Sequence, residues 1–334
     1  MAEGRAIDTT PAPVITATSY GSDLNRPGYV DEGYITGIRE DLEDVVYDIS
    51  PTDTPFLTKC AKLKATNTYH EWQTNELADA EINAHIEGAD TGAEFNQTVR
   101  VGNYTQILKK GVRLSGTSAA LNLAGRQKEM AFQVLQKTKE IKRDLEVSLL
   151  GTQARDPGSS SQPRIMAGVG CWMSTNTIGD ATFPTTNDGN GTFTAGAGAT
   201  LSQDDFDDLL EQIWTAGGEP DRVYLRADLM SAALSFVGNN NQRATIVAKE
   251  DMVINNMVKY ETPWGLLTFV PDRFMPEGSV YILDSSMWKV ASLRGFKNEK
   301  LAKTGDSNHT QIVTEQTLVA CNEASSGHMA TYTD

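Results

Sequence analysis

Histidine and cysteine are the residue types that would carry nucleophilic or metal chemistry in this chain, and their spacing supports neither. The four histidines are His70, His85, His309 and His328. No two of them share a helix face or a hairpin, as the ligands of a zinc site or a catalytic pair would. Glycine-rich phosphate loops, nucleophile elbows and paired metal motifs are also absent from the 334 residues. We therefore predict no catalytic, cofactor-binding or metal-binding residue.

The cysteines and the acidic clusters have ordinary structural explanations. Cys60, Cys171 and Cys321 are odd in number and far apart, which predicts buried free thiols. The acidic run 204–211 begins a predicted helix, where the helix dipole favours carboxylates. The segment NDGNG (187–191) lacks the closing glutamate of a calcium loop, so we expect a surface loop. A cation-binding module built on 204–211 is an alternative that predicts stabilisation by calcium.

The charge pattern excludes a duplex-binding protein and favours protein partners. The chain has 44 acidic against 29 basic residues, a net charge of −15, which is the wrong sign for binding phosphates. Residues 112–155 carry a net charge of +4, whereas 1–60 and 156–259 carry −7 each. Solvation of different faces could explain this alternation. The sharper hypothesis is contact between like subunits through complementary patches.

The local patterns predict a mixed α+β fold. Apolar residues three and four apart predict a helix over 127–150, about 36 Å long, with Gly151 ending it and a Lys142–Glu146 pair on its outer face. A second helix follows Ser202 as its N-cap. A strand at Arg222–Leu225, a helix from about Asp228 and several strands over 260–334 complete the pattern. No apolar run reaches membrane-span length and no signal peptide is evident, so we expect a soluble chain made in a cytoplasm.

Two segments are predicted to extend away from a core. Residues 1–30 are rich in Pro, Gly, Ser and Thr and predict an extended arm, followed by a short helix over Ile38–Val46. Within 66–115 two long strands are joined by a polar excursion of about 25 residues, which exceeds an ordinary hairpin turn. We therefore expect a projecting loop here. The stretch DPGSSSQP (156–163) is predicted to be a linker.

Several segments together carry a resemblance to a known family. They are REDLEDVVYDISPTDTPFL (39–57), YHEWQTNEL (69–77), NYTQILKKGVRLSGT (103–117), EIKRDLEVSLL (140–150) and PDRVYLRADL (220–229). These segments are similar to phage major head proteins. The order of parts over about residues 35–325 resembles the tailed-phage major capsid protein of the Hong Kong 97 fold.

The resemblance implies an α+β Hong Kong 97-type capsid fold with five parts. These are an N-terminal arm (1–58), an extended two-stranded loop (59–112), a peripheral domain with a long spine helix (113–163), an axial domain (164–259) and a return through the peripheral sheet (260–334). The founding member of the fold cross-links its subunits through a lysine of the extended loop. Here no lysine occurs between Lys64 and Lys109, so we do not expect that chemistry.

The implied function is structural rather than enzymatic. A major capsid protein forms pentamers and hexamers with its own copies, assembles in the host cytoplasm into the icosahedral head of the virion, and encloses double-stranded DNA without reading its sequence. Scaffold, portal and decoration proteins are further partners that the resemblance allows. From the charge alternation we predict that Arg100, Lys300 and Lys303 contact acidic neighbours. Alternatives are another virion protein, such as a tail tube or an adhesin, and a hydrolase that brings His309 to distant carboxylates.

Overall fold

The computed structural model describes residues 50–333, with gaps at 79, 89, 91, 93–94, 96, 121–127, 240–258, 304 and 331. The predicted arm over 1–30 and the predicted helix Ile38–Val46 lie outside the described residues. No helix among the described residues combines the length and the apolar content that crossing a membrane requires.

The described helices are mostly short, with one long exception. They are α1 (Pro55–Lys59), α2 (Gly116–Ala120), α3 (Glu129–Leu150), α4 (Val169–Trp172), α5 (Gln203–Thr215) and α6 (Ala227–Asn239). Helix α3 has 22 residues and is about 33 Å long. The predicted helix 127–150 is therefore confirmed from residue 129 onward.

The strands occupy both halves of the described chain. They are β1 (Ala61–Lys64), β2 (Tyr69–Thr74), β3 (Val99–Tyr104), β4 (Gln106–Ser115), β5 (Thr177–Gly179), β6 (Ala181–Thr182), β7 (Thr194–Ala195), β8 (Ala199–Thr200), β9 (Arg222–Leu225), β10 (Lys259–Thr262), β11 (Gly265–Pro271), β12 (Val280–Leu283), β13 (Trp288–Lys300), β14 (Ser307–Ala320), β15 (Gly327–Ala330) and β16 (Tyr332–Thr333).

Helix α3 packs on a four-stranded sheet of order β1-β13-β14-β4. Its buried residues Leu145, Leu149 and Leu150 join a hydrophobic cluster that also contains Trp288 and Leu318 from the sheet. The helix ends at Leu150, where the chain must pass very close to another segment. A Cβ on Gly168 would lie 2.1 Å from the Gly151 carbonyl oxygen, so only glycine permits this approach.

A second sheet of order β10-β11-β9-β12-β15-β5 packs against α5. The apolar face of α5, whose residues Phe206, Leu209 and Ile213 are spaced three and four apart, is buried in the second hydrophobic cluster. The Ser202 hydroxyl accepts a hydrogen bond from the Asp205 amide at 3.1 Å, which confirms the predicted N-cap. The strand predicted at Arg222–Leu225 is confirmed as β9.

Three sequence predictions need correction. The Lys142–Glu146 pair on the outer face of α3 is wrong, because Glu146 is fully buried and its carboxylate accepts hydrogen bonds from α1. The second long strand of 66–115 is two strands, β3 and β4, which break at the buried Thr105 and pair with different partners. The segment 156–163 is no open linker but a tight loop closed by a bridge between Asp156 and Ile165.

The cysteine prediction is confirmed for two residues. Cys60 and Cys171 are buried free thiols, whereas Cys321 is a free thiol that is partly exposed. Burial raises the pKa of Cys60 to about 12 and that of Cys171 to about 11. Because both thiols stay protonated at neutral pH, they act as small apolar groups in the core.

Candidate interaction surface

An unusual surface of the described chain is the segment 75–98, which lies inside the predicted two-stranded loop region 59–112; from here on, only 75–98 is called the extended loop. It joins β2 and β3, which pair antiparallel from Tyr69 opposite Tyr104 to Thr74 opposite Val99. Four large apolar side chains of the extended loop are almost fully exposed, with exposed fractions of 84–96%. They are Leu77, Ile82, Ile86 and Phe95. Apolar groups left in water at this density mark a surface that a partner covers.

The base of the extended loop is fixed firmly to the core. The Arg155 guanidinium donates hydrogen bonds to the Tyr69 hydroxyl, at 2.8 Å, and to the Gly102 carbonyl. The Trp72 ring lies 5.5 Å from the ring of the buried Trp172. A base fixed in this way limits the directions in which the loop can leave the core.

The charge of the extended loop is of a single sign. Residues 75–98 contain six acidic residues and no lysine or arginine. Arg100 lies just beyond the loop on β3, and its guanidinium contacts the Glu71 carboxylate across the hairpin at 3.3 Å. The Arg100 side chain is 68% exposed, so this contact leaves most of its donors in solvent.

Two of the three predicted basic contact residues, Lys300 and Lys303, lie together where β13 connects to its antiparallel neighbour β14. Lys300 is the last residue of β13, and Lys303 follows in the connection to β14. Both side chains are exposed, and neither forms an ion pair with any residue that the structure describes. Phe296 nearby is 40% exposed. This end of the hairpin, residues 296–303, carries three lysines against one glutamate, with the exposed Phe296 beside them, and we call it the basic tip.

The structure does not bring the histidines together. They lie on four separate elements: His70 on β2, His85 in the extended loop, His309 on β14 and His328 on β15. His309 stands opposite Arg113 of β4, a cation rather than the carboxylate that the hydrolase alternative needs. His328 is fully buried among aromatic rings, and burial lowers its pKa to about 3, so it is a neutral core residue.

The acidic run and an open cavity beside the end of α3 also lack a reactive arrangement. The acids of 204–211 begin α5, and no cluster of metal-ligating side chains occurs in the described part of the chain. An open cavity of about 690 Å³ beside the end of α3 is lined by Val147, Phe274 and Met275 among others. Its charged side chains, Arg226 and Glu277, pair with each other at 3.0 Å. Paired in this way, they offer neither a free base nor a free acid.

Two buried carboxyl groups, those of Glu146 and Asp272, are not predicted by any pattern in the sequence. Glu146 of α3 is fully buried, and Asp272, which follows β11 and is 2% exposed, is the acidic group whose charge acts on it. Burial, and then the charge of Asp272, raises the pKa of Glu146 to about 8. The local sequence gives no signal for this pair, because its two members are 126 positions apart and each looks like an ordinary surface acid.

Comparison with known proteins places these features in a family. A family model described as the SU10 major capsid protein matches residues 16–333. The major capsid protein of Escherichia phage Phieco32 is 31% identical over 325 residues, which cover 85% of this chain and 91% of that protein.

Solved structures show the same fold at low sequence identity. A chain of the cyanophage A-1(L) capsid asymmetric unit superposes with a TM-score of 0.64 at 11% identity, covering 89% of this chain and 98% of that one. A chain of the capsid of the native GTA particle gives a TM-score of 0.58 at 10% identity, covering 95% and 98%. The predicted α+β Hong Kong 97-type capsid fold is therefore confirmed.

Proposed function

The chain belongs to the SU10 family of major capsid proteins and is a structural subunit of a tailed-phage head, and we propose that its copies join by placing the extended loop of one subunit against the basic tip of the next. The extended loop carries the proposal. It exposes four large apolar side chains that no part of the described chain covers, and it contains six acids without a lysine or arginine.

Charge complementarity supports the basic tip as the receiving surface. Lys300 and Lys303 stand in solvent without an acidic partner in the described chain, and the exposed Phe296 offers apolar area beside them. An acidic loop and a basic tip attract over about 8–10 Å at physiological ionic strength, which fixes register more than it adds affinity. Burial of the apolar loop residues supplies the main favourable free energy.

Arg100 has a supporting role in the proposed contact. Its guanidinium has five N–H donors, and the Glu71 contact at 3.3 Å uses one of them. The remaining donors can bind an acidic group of the neighbouring subunit at the base of the loop. Glu71 then holds Arg100 in a fixed orientation before the neighbour arrives, which lowers the entropy cost of the contact.

The wider assignments follow from family membership and belong to the same proposal. The five-part division stays as stated from the sequence, with the arm at 1–58, the extended loop region at 59–112, the spine-helix region at 113–163, the axial domain at 164–259 and the return at 260–334. We place assembly of pentamers and hexamers in the host cytoplasm, with double-stranded DNA enclosed without sequence reading. Scaffold, portal and decoration proteins are the expected partners, and the subunit works without catalysis.

Assembly of the purified full chain tests the proposal directly. Negative-stain microscopy and light scattering at low salt should show shells or rings for the wild type. The Lys300→Glu/Lys303→Glu double variant should remain unassembled, because it places negative charge against the acidic extended loop. Arg100→Glu tests the base of the loop separately and should slow assembly to a smaller extent.

A charge swap provides the matched control. Adding Glu81→Lys/Glu87→Lys, two exposed acids of the extended loop, to the Lys300→Glu/Lys303→Glu variant restores opposite charges on the two surfaces. We expect assembly to recover in this four-fold variant. Full assembly of Lys300→Glu/Lys303→Glu at low salt, or no recovery in the charge swap, would contradict the pairing of these two surfaces.

A further inference from the structure

Helix α5 exposes a tryptophan that its own subunit does not bury. Trp214, near the end of α5, is 61% exposed, whereas Trp172 and Trp288 are almost fully buried. The neighbouring Ile213 already packs in the second hydrophobic cluster, so α5 is held in place without the tryptophan. Tryptophan offers a large apolar area on a stiff side chain and is enriched among the residues that dominate protein interfaces. Trp214 therefore fits the role of an anchor that a partner buries.

The cavity beside the end of α3 is an open apolar seat that can receive such a side chain. It has a volume of about 690 Å³, which is larger than an indole side chain, and its lining includes Phe193, Phe274 and Met275. Val147, which also lines it, is 50% exposed, so an incoming ring can reach this wall. Trp214 is not among the residues that line the cavity, so within one subunit the two features stay apart.

The charges beside the tryptophan and beside the cavity are opposite. Glu211 is exposed and precedes Trp214 by three residues, about 4.5 Å along the helix axis. Arg143 precedes Val147 by four residues of α3, about 6 Å, and is partly exposed. Its guanidinium carbon lies 5.6 Å from the centre of the Phe274 ring, which lines the cavity. Because the two spacings are similar, one helix laid along the other places the ring in the cavity and the carboxylate beside the guanidinium together.

The second arginine at the cavity is already engaged. The Arg226 guanidinium contacts the carboxylate of Glu277 at 3.0 Å and that of Asp228 at 3.7 Å. Arg143, by contrast, forms no ion pair with any residue of the described chain. It is therefore the arginine beside the cavity that is available to a carboxylate of a neighbour.

We propose that Trp214 of one subunit inserts into the cavity beside the end of α3 of a second copy, where Glu211 pairs with Arg143 of that copy. The contact joins two different surfaces of the same chain, and contacts of this head-to-tail kind close into rings when the rotation between neighbours divides a full turn. It uses no residue of the extended loop or of the basic tip. It rests on the proposed function only in that copies of the chain assemble with each other.

Sedimentation velocity of the purified full chain over a concentration series tests the contact. Trp214→Ala should leave the melting temperature of the unassembled chain unchanged, because the side chain is exposed there. Its association constant should fall at least about thirtyfold, as expected for the loss of an interface anchor. Gln212→Ala, an exposed neighbour on the same helix, is the matched control and should associate like the wild type.

A charge swap and fluorescence test the two halves of the contact separately. Glu211→Arg should weaken association, and adding Arg143→Glu should restore it, whereas Glu219→Arg, at an exposed acid just beyond α5, should have no effect. The emission of Trp214 is the difference between the wild type and Trp214→Phe. Acrylamide should quench this emission in the unassembled subunit and much less in the assembled particle.

The outcomes separate this contact from the pairing of extended loop and basic tip. Wild-type association of Trp214→Ala, no recovery in the charge swap, or equal quenching in both states would overturn the contact at Trp214. If Lys300→Glu/Lys303→Glu associates like the wild type while Trp214→Ala does not, the pairing of loop and tip fails and the contact at Trp214 stands. A wild-type chain that stays a single subunit at every concentration would overturn both.

Discussion

At the scale of single residues, Glu315 is the buried charge on which the four-stranded sheet depends. Its carboxylate contacts the Arg164 guanidinium at 2.6 Å and that of Arg294 at 2.8 Å, and the Thr105 hydroxyl donates to it at 2.8 Å. These partners come from distant parts of the chain. Thr105 lies at the break between β3 and β4, Arg164 in the loop that the Asp156–Ile165 bridge closes, and Arg294 in the middle of β13, so one carboxylate holds all three places together.

We expect Glu315→Gln to lower the free energy of unfolding by about 3 kcal/mol. The substitution leaves two guanidinium groups facing a neutral amide in a site where Glu315 is only 3% exposed. Urea unfolding followed by circular dichroism measures the change. Glu299→Gln, an exposed acid on the same hairpin that bonds to Gln311, should change stability by less than about 0.5 kcal/mol. Equal effects for the two variants would contradict this role of Glu315.

Individual residues also show where reasoning from sequence stops. Free thiols at Cys60 and Cys171 were predictable, because scattered cysteines in odd number rarely have another use. Glu146 was misjudged, since a lysine four residues before a glutamate on an amphipathic helix is typical of a surface pair. Its actual partners, the Phe56 and Leu57 amides of α1, come from a remote segment, and no local pattern encodes such a contact.

At the scale of elements, the spacing of apolar residues correctly predicted the helices and the strand that bury an apolar face. Helices α3 and α5 and strand β9 appear where the apolar spacing places them. The break between β3 and β4 was not predicted: Gly102–Asn103 is a weak turn signal just before it, but Thr105 itself is a good strand residue. The break results from sheet pairing: β3 pairs with β2 at the base of the extended loop, and β4 pairs with β14.

The N-cap of α5 provides a test at this scale. Ser202→Ala removes the acceptor for the Asp205 amide, and we expect a loss of about 1 kcal/mol in the free energy of unfolding. Hydrogen exchange should show the largest loss of protection in the first turn of α5. Ser161→Ala in the exposed loop after Asp156 is the matched control and should be nearly neutral. A change below about 0.3 kcal/mol for Ser202→Ala would show that the cap does not stabilise α5.

At the scale of the whole molecule, the most exposed large apolar side chains of the described chain lie in the extended loop. Elsewhere in the described chain, many large apolar side chains are buried in three hydrophobic clusters. The extended loop departs from this pattern with apolar side chains as exposed as Ile82, at 96%. A monomer that keeps such a segment in solvent gives up stabilisation that a neighbour can supply, and for this reason we propose the loop as one half of an interface.

This view predicts that the extended loop contributes to assembly and not to folding. Ile82→Asn/Ile86→Asn should leave the melting temperature of the unassembled chain within about 2 °C of the wild type, because both side chains are exposed there. Burial of two isoleucines against a neighbour is worth about 4 kcal/mol, so the association constant should fall about a thousandfold. Sedimentation velocity over a concentration series measures both the subunit and the shell.

A conservative double variant tests whether an apolar side chain of slightly smaller size at both positions is enough for assembly. Ile82→Val/Ile86→Val keeps β-branched apolar groups at both positions, and its association constant should fall only about fifteenfold, since each position loses one methylene worth about 0.8 kcal/mol. If Ile82→Asn/Ile86→Asn assembles as well as this control, the loop makes its contact through charge alone, and Lys300→Glu/Lys303→Glu should then abolish assembly at low salt. If the asparagine variant instead unfolds at a lower temperature, the loop packs on its own subunit, and its exposed side chains are not held for a neighbour.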